Sequence, residues 1–167
     1  IFNLYAGDYP FTVTDALGCT LSDTVTITEP DELIIDSIIA QDVSCNSFND
    51  GSISTSASGG TFPYGYSWSG PNGFYSPFQN ASNLLAGNYS LYLYDVNGCS
   101  VQSDSILILE PALLEANVSV TSLACNSDTN GVINITPLGG VSPYTFLWSN
   151  GSISQNQVNL SAGIYSV

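Results

Sequence analysis

Residues 45–68 read CNSFNDGSISTSASGGTFPYGYSW, and residues 125–148 read CNSDTNGVINITPLGGVSPYTFLW. Set against each other at a spacing of 80, they share Cys45 with Cys125, Gly51 with Gly131, Gly59-Gly60 with Gly139-Gly140, Tyr64 with Tyr144 and Trp68 with Trp148. The spacing extends outward in both directions. Gly7 matches Gly87 and Cys19 matches Cys99, while Pro30 meets Pro111 after a one-residue insertion. Between Gly87 and Gly163 it falls to 76, because the later copy is four residues shorter in the loop from Pro71-Asn72-Gly73 to Pro77. Agreement at so many fixed positions is the signature of a repeat architecture. The expected organisation is the C-terminal part of one repeat at 1–30, a complete second repeat at 31–111 and the N-terminal part of a third at 112–167. A chain that starts and stops in mid-pattern is expected to be a piece of a longer array.

Each repeat reads as short strands separated by turn residues. From Gly51 to Ala57, Ile53, Thr55 and Ala57 share one face; Tyr64, Tyr66 and Trp68 share a parity, as do Tyr144, Phe146 and Trp148. Tyr9-Pro-Phe-Thr-Val-Thr-Asp15 parallels Tyr89-Ser-Leu-Tyr-Leu-Tyr-Asp95, with Pro10, Thr12 and Thr14 outward in the first copy. That alternation predicts strands with one solvated face. Val25 to Thr28 and Ile106 to Leu109 predict the last strand, and the Asn-Gly pairs at 72–73, 97–98, 130–131 and 150–151 predict tight turns. No run has helical periodicity. The expected fold class is all-β: tandem immunoglobulin-like sandwich repeats arranged as a rod, burying Trp68 and the Tyr89/Leu91/Leu93 face between two sheets. The Glu-Pro steps at 29–30 and 110–111 read as short, stiff junctions.

Composition narrows function. The 167 residues are 44% hydrophobic, enough for a packed core, and carry 14 acidic side chains but no Lys, Arg or His, for a formal charge of −14. Nucleic acid and anionic membrane surfaces are excluded as partners, since both need cations. General-base histidine, Schiff-base lysine and arginine clamps are absent, which leaves paired-carboxylate catalysis or metal binding through oxygen. Asp31, Glu32 and Asp36 lie near a junction where no concave pocket is expected, so no enzyme is expected. The apolar runs Leu33 to Ala40 and Ile106 to Ala116 are interrupted by Asp36, Glu110 and Pro111, and no membrane insertion is expected.

The repeats resemble those of SprB-type gliding adhesins of the Bacteroidetes group. The resemblance rests on Cys-Asn...Gly (Cys45 to Gly51, Cys125 to Gly131), the double glycine, Pro-Tyr...Trp-Ser, Asn-Leu...Ala-Gly...Tyr (Asn83 to Tyr89, Asn159 to Tyr165), Asp...Gly-Cys (Asp15 to Cys19, Asp95 to Cys99) and the terminal Glu-Pro. It covers essentially the whole chain. Repeat two departs by its enlarged loop Pro71 to Phe78, and repeat three by Pro137 in its second strand. The resemblance implies a large secreted surface protein, exported by the type IX route and displayed as a filament, with an extracellular or cell-surface location. Its expected partners are neighbouring repeats of the same chain, with surface polysaccharide or other cell-surface proteins as further candidates. The reading is a stalk or filament segment serving gliding or attachment; the alternative is a carbohydrate-binding module of a secreted protein.

Four side-chain sets are candidate sites. In a surface protein the four cysteines suggest disulfides. Cys45–Cys99 is the simplest pairing, leaving Cys19 and Cys125 to partners outside the chain. The competitor joins Cys19 to Cys45 and Cys99 to Cys125, and an immunoglobulin-like topology would itself set the Cys45 and Cys99 loops at opposite ends. No cofactor is expected. Calcium is the one metal to weigh, with Asp15, Asp50, Asp95 and Asp128 as candidates, although Asp and Asn also shape turns by bonding their own backbone. Tyr92 and Tyr94, with Phe74, Tyr75 and Phe78 of the enlarged loop, could stack on sugar rings or serve ordinary packing. Asp23-Thr24-Val25, Asp36-Ser37-Ile38 and Asp104-Ser105-Ile106 look like the O-glycosylation signal of secreted proteins from the same bacterial group, making Thr24, Ser37 and Ser105 candidate sites.

Overall fold

A computed structural model describes residues 2–167. Every regular element is a strand apart from one 3-10 turn at Pro71–Gly73. Between Leu33 and Ile108 two antiparallel sheets enclose a core. The first holds β3 (Ile34–Gln41), β4 (Gly51–Ser58) and β7 (Ala81–Leu84) in the order β3-β4-β7. The second holds β5 (Gly65–Ser69), β6 (Tyr75–Ser76), β8 (Gly87–Tyr94), β9 (Ser100–Gln102) and β10 (Ile106–Ile108). Its order is β10-β8-β5-β6, with β9 also on β8. In immunoglobulin strand letters these are the A-B-E and G-F-C-C′ sheets, so the chain contains the expected β-sandwich.

Alternation in β8 determines the layering. Tyr89, Leu91 and Leu93 point inward and are buried, while Tyr92 and Tyr94 point outward. Facing them, Ile53 of β4 and Leu84 of β7 are fully buried, and Trp68 of β5 fills the centre. The indole N–H of Trp68 donates to the carbonyl oxygens of Phe78 (3.0 Å) and Gln79 (3.2 Å), so its burial leaves no orphan donor. Removing such a side chain costs about 3–5 kcal/mol, a large share of what a small domain has.

The corners are made by the repeated residues. Gly59 has φ +73°, and a Cβ there would lie 1.8 Å from the Glu32 carbonyl oxygen, so only glycine fits the turn beside the entry to β3. Tyr64 donates its hydroxyl to the Gly59 carbonyl, and Tyr144 does the same to Gly139. Tyr89 donates to the Leu85 carbonyl at 2.9 Å, the tyrosine corner of immunoglobulin-like sandwiches. Tyr9 to Tyr5 (2.8 Å) and Tyr165 to Ser161 (3.1 Å) repeat that bond.

Two further sheets flank this sandwich in sequence. β1 (Gly7–Thr14) and β2 (Thr20–Ile27) pair over their full length, with Phe11 and Val13, at the positions of Leu91 and Leu93, left exposed. β11 (Glu115–Thr121), β12 (Gly131–Leu138) and β13 (Gln157–Leu160) form a three-stranded sheet in that order. β13 pairs with β12 only at Gly131 and Ile133, so Pro137 sits where that side of β12 needs no ladder donor. One turn expectation fails. Asn130-Gly131 does not make a tight turn; Gly131 opens β12, and a Cβ there would come within 3.0 Å of the Leu160 carbonyl oxygen. Gly51 opens β4 under the same constraint from the Leu84 carbonyl at 2.9 Å.

Candidate functional site

The outer face of β5, β8 and β9 is set by strand register. Tyr94 lies opposite Gly65 and Ser100, Tyr92 opposite Ser67 and Gln102, and Ser90 opposite Ser69, which in turn pairs with Tyr75 of β6. Directly paired residues share a face, so one uncharged surface carries three exposed tyrosines separated by hydroxyl and amide groups. The Tyr92 and Tyr94 rings stand 6.0 Å apart at a tilt of 34°. The Tyr94 ring lies across Gly65, where a Cβ would fall 2.2 Å from ring carbon Cζ. Beside Tyr92 opens a trough of ≈ 450 Å³ lined by Ser69, Asn88, Ser90, Gln102, Ser103 and Ser105 among others. The equivalents of Tyr92 and Tyr94 in β1 are Thr12 and Thr14, so the fold itself does not require aromatic rings there.

Phe74 departs from its expected outward placement. It is half-buried, packs edge-on against Tyr89 at 5.4 Å between ring centroids and joins the edge of the core. The 3-10 turn at Pro71–Gly73 turns the loop inward here, and an apolar ring without a polar tip gains more from the core than from solvent. Tyr75 and Phe78 of the same loop stay exposed.

The four candidate calcium ligands, Asp15, Asp50, Asp95 and Asp128, each accept hydrogen bonds from backbone amides. Asp95, 2% exposed, accepts from the amides of Asn97 (2.9 Å) and Cys99 (2.8 Å) with one oxygen and from Thr61 (2.9 Å) with the other. Its burial works to raise its pKa, but the amides of Thr61, Cys99 and Asn97 together hold it below the usual carboxylate value. Asp15 makes the same turn, accepting from Leu17 (2.9 Å) and Cys19 (2.8 Å), and its pKa is lowered chiefly by the Cys19 amide. Asp50 accepts from the Ser44 amide at 2.9 Å, and Ser44 lowers its pKa. Asp128 accepts from the Cys125 amide at 2.9 Å. The Asp...Gly-Cys motif is thus a turn clamp, in which the carboxylate takes the place of a water shell for amides that face no strand. Among the described residues no three Asp, Glu, Cys or His side chains come together as a metal site.

All four cysteines are exposed and free. Cys45 follows the far end of β3, in a loop tied to the chain's exit: Leu109 donates its amide to Asp42 (2.7 Å), and Ser47 donates its amide to Glu110 (2.7 Å). Cys99 sits at the other end, in the turn that Asp95 fastens to Thr61, next to Gly60 and its bond to Asp31. The eight residues of β3 separate the two, roughly 26 Å at strand rise, whereas a disulfide needs Cα atoms within about 7 Å. The structure therefore does not bring Cys45 and Cys99 together. Thr24, Ser37 and Ser105 are all exposed. Ser37 and Ser105 line one groove of ≈ 510 Å³ along the open seam between β3 and β10.

No curated protein and no solved structure matches the chain. A family model described as SprB repeat matches residues 37–73 and again 117–153. Each match runs from the first strand of a sheet through the double glycine and into the region after the tryptophan, and the two matches stand 80 residues apart. The two matches fall on equivalent strands and corners, so these two stretches of the chain are similar to the SprB repeat.

Proposed function

We propose that the chain is a stalk segment of a cell-surface adhesin, a structural rather than catalytic element that holds an adhesive region away from the cell. The observation that carries this reading is the double SprB match at one fixed spacing. SprB repeats belong to surface-exposed adhesins, and among the described residues no helix is long and apolar enough to cross a membrane. Local structure supports stiffness at the junction after β10, where Asn46 donates to the Pro111 carbonyl (3.1 Å) and Ser47 to Glu110. A charge of −14 with no cation keeps neighbouring stalks apart. In this reading the protein leaves the cell by the type IX route, carries O-glycans on Thr24, Ser37 and Ser105, and serves gliding or static attachment. Antibodies against residues 31–111 test it: they should label intact cells, and labelling that appears only after permeabilisation would overturn the surface assignment.

A further inference from the structure

We propose that the outer face of β5, β8 and β9 binds an internal segment of a neutral polysaccharide, with Tyr92 and Tyr94 as stacking platforms. This goes beyond the stalk role and does not depend on it.

Four observations converge. The rings of Tyr92 and Tyr94 follow one another along one strand, 6.0 Å apart and tilted by only 34°, which presents two consecutive stacking positions to an extended ligand. Gly65 leaves room for the Tyr94 ring to lie across the sheet, and any larger residue would displace it. The rings lead into an open trough whose Ser90, Gln102, Asn88 and Ser69 side chains supply donors and acceptors matched to sugar hydroxyls. Finally, the tyrosines are particular to this unit, because β1 has Thr12 and Thr14 at the same places while the alternate positions, Tyr9, Phe11 and Val13, keep the aromatic or aliphatic character of Tyr89, Leu91 and Leu93. A core requirement would appear in both copies; an outward one that appears in one copy marks a surface with a task.

Charge selects the ligand class. The face carries no ionisable group other than tyrosine hydroxyls, and the whole chain has 14 acids and no cation, so uronate or sulfated glycans are repelled. An open surface trough, rather than an enclosed pocket, takes the middle of a chain. Affinity should then rise with oligosaccharide length.

Affinity gel electrophoresis of the 167-residue chain through gels containing a soluble β-glucan, a galactomannan or a dextran, with alginate as the polyanionic control, tests the proposal. At least one neutral polymer should retard the chain, and alginate should not. The double substitution Tyr92→Thr with Tyr94→Thr introduces the side chains of β1 and should weaken retardation about tenfold or more. Gly65→Ala keeps both tyrosines but displaces the Tyr94 ring, and should also weaken it. Tyr5→Ala, an exposed aromatic elsewhere, should have no effect, and thermal melting confirms that each variant is folded. Absence of retardation by every neutral polymer, equal retardation by alginate, or full retention in the folded tyrosine variants overturns the proposal. So does concentration-dependent self-association of the chain that the tyrosine substitutions abolish, since the face would then be a contact between copies.

Discussion

Thr55 in β4 and Ile135 in β12 occupy equivalent inward positions, and the two strands handle them alike except at one atom. Each backbone is clasped by side chains: Asn80 accepts from the Thr55 amide (3.0 Å) and Gln79 donates to its carbonyl (2.6 Å), while Asn156 and Gln155 do the same for Ile135 at the same distances. Both residues are buried. Thr55 alone brings a hydroxyl into the core, and its Oγ1 has no hydrogen-bond partner.

A buried hydroxyl without a partner costs on the order of 1–3 kcal/mol relative to leaving it in water. Thr55→Val keeps the shape and removes the oxygen, so the variant should be more stable by about 1 kcal/mol, a rise of several degrees in Tm. Thr55→Ser keeps the hydroxyl, loses a methyl and should fall below the parent. Thermal unfolding followed by circular dichroism reads both. A lower Tm for Thr55→Val would show that Oγ1 has a partner after all.

The fold was legible where the repeat doubled the signal. Trp68 with Trp148, Gly59-Gly60 with Gly139-Gly140 and the alternation from Tyr89 to Tyr94 each place a strand or a corner, and the sandwich follows from them. What local patterns do not encode is proximity in three dimensions. Gly131 follows an Asn and so reads as a turn, but it is glycine because the Leu160 carbonyl approaches β12. Phe74 reads as a loop aromatic until the 3-10 turn brings it onto Tyr89. The tyrosine corner at Tyr89 depends on a carbonyl four residues back, a bond that periodicity does not report. The candidate binding face shows the same division. Tyr92 and Tyr94 are outward by alternation, whereas Gly65 and the trough beside Gln102 appear only once the register of β5, β8 and β9 is known.

The Asp95 clamp gives the chain a defined acid response. Burial opposes its charge, the amides of Thr61, Cys99 and Asn97 favour it, and the net folded pKa lies below the ordinary 3.8. A depressed carboxylate contributes stability that is present above its unfolded pKa and is lost as pH falls through the lower folded value. Asp95→Asn, which cannot carry the charge, should therefore melt below the parent at neutral pH. The gap should narrow as pH drops below about 4. Protonating the other carboxylates relieves self-repulsion in both proteins alike and cancels in the difference. Melting curves from neutral to strongly acid pH check this; a gap that stays constant would mean that the charge on Asp95 is immaterial to the turn.

The placement of the cysteines makes the last prediction. Cys45 is fixed at the exit end of the sandwich by the Leu109–Asp42 and Ser47–Glu110 bonds, and Cys99 at the entry end by Asp95 and its bond to Thr61. Closing a bond between them would require one end of the sandwich to open, at the cost of the hydrogen bonds that fasten its loop. The monomeric chain, denatured without reductant, should therefore take up an alkylating label on all four cysteines, read by intact mass. On mild oxidation the exposed thiols should join different copies, so that dimers and larger species form and revert on reduction. A monomer that retains two blocked thiols, with a Cys45–Cys99 cross-linked peptide in its digest, would contradict the placement of both loops. If all four cysteines take the label, oxidised bonds in a displayed stalk have to be sought between units, because the two cysteines of one unit lie at opposite ends of the sandwich.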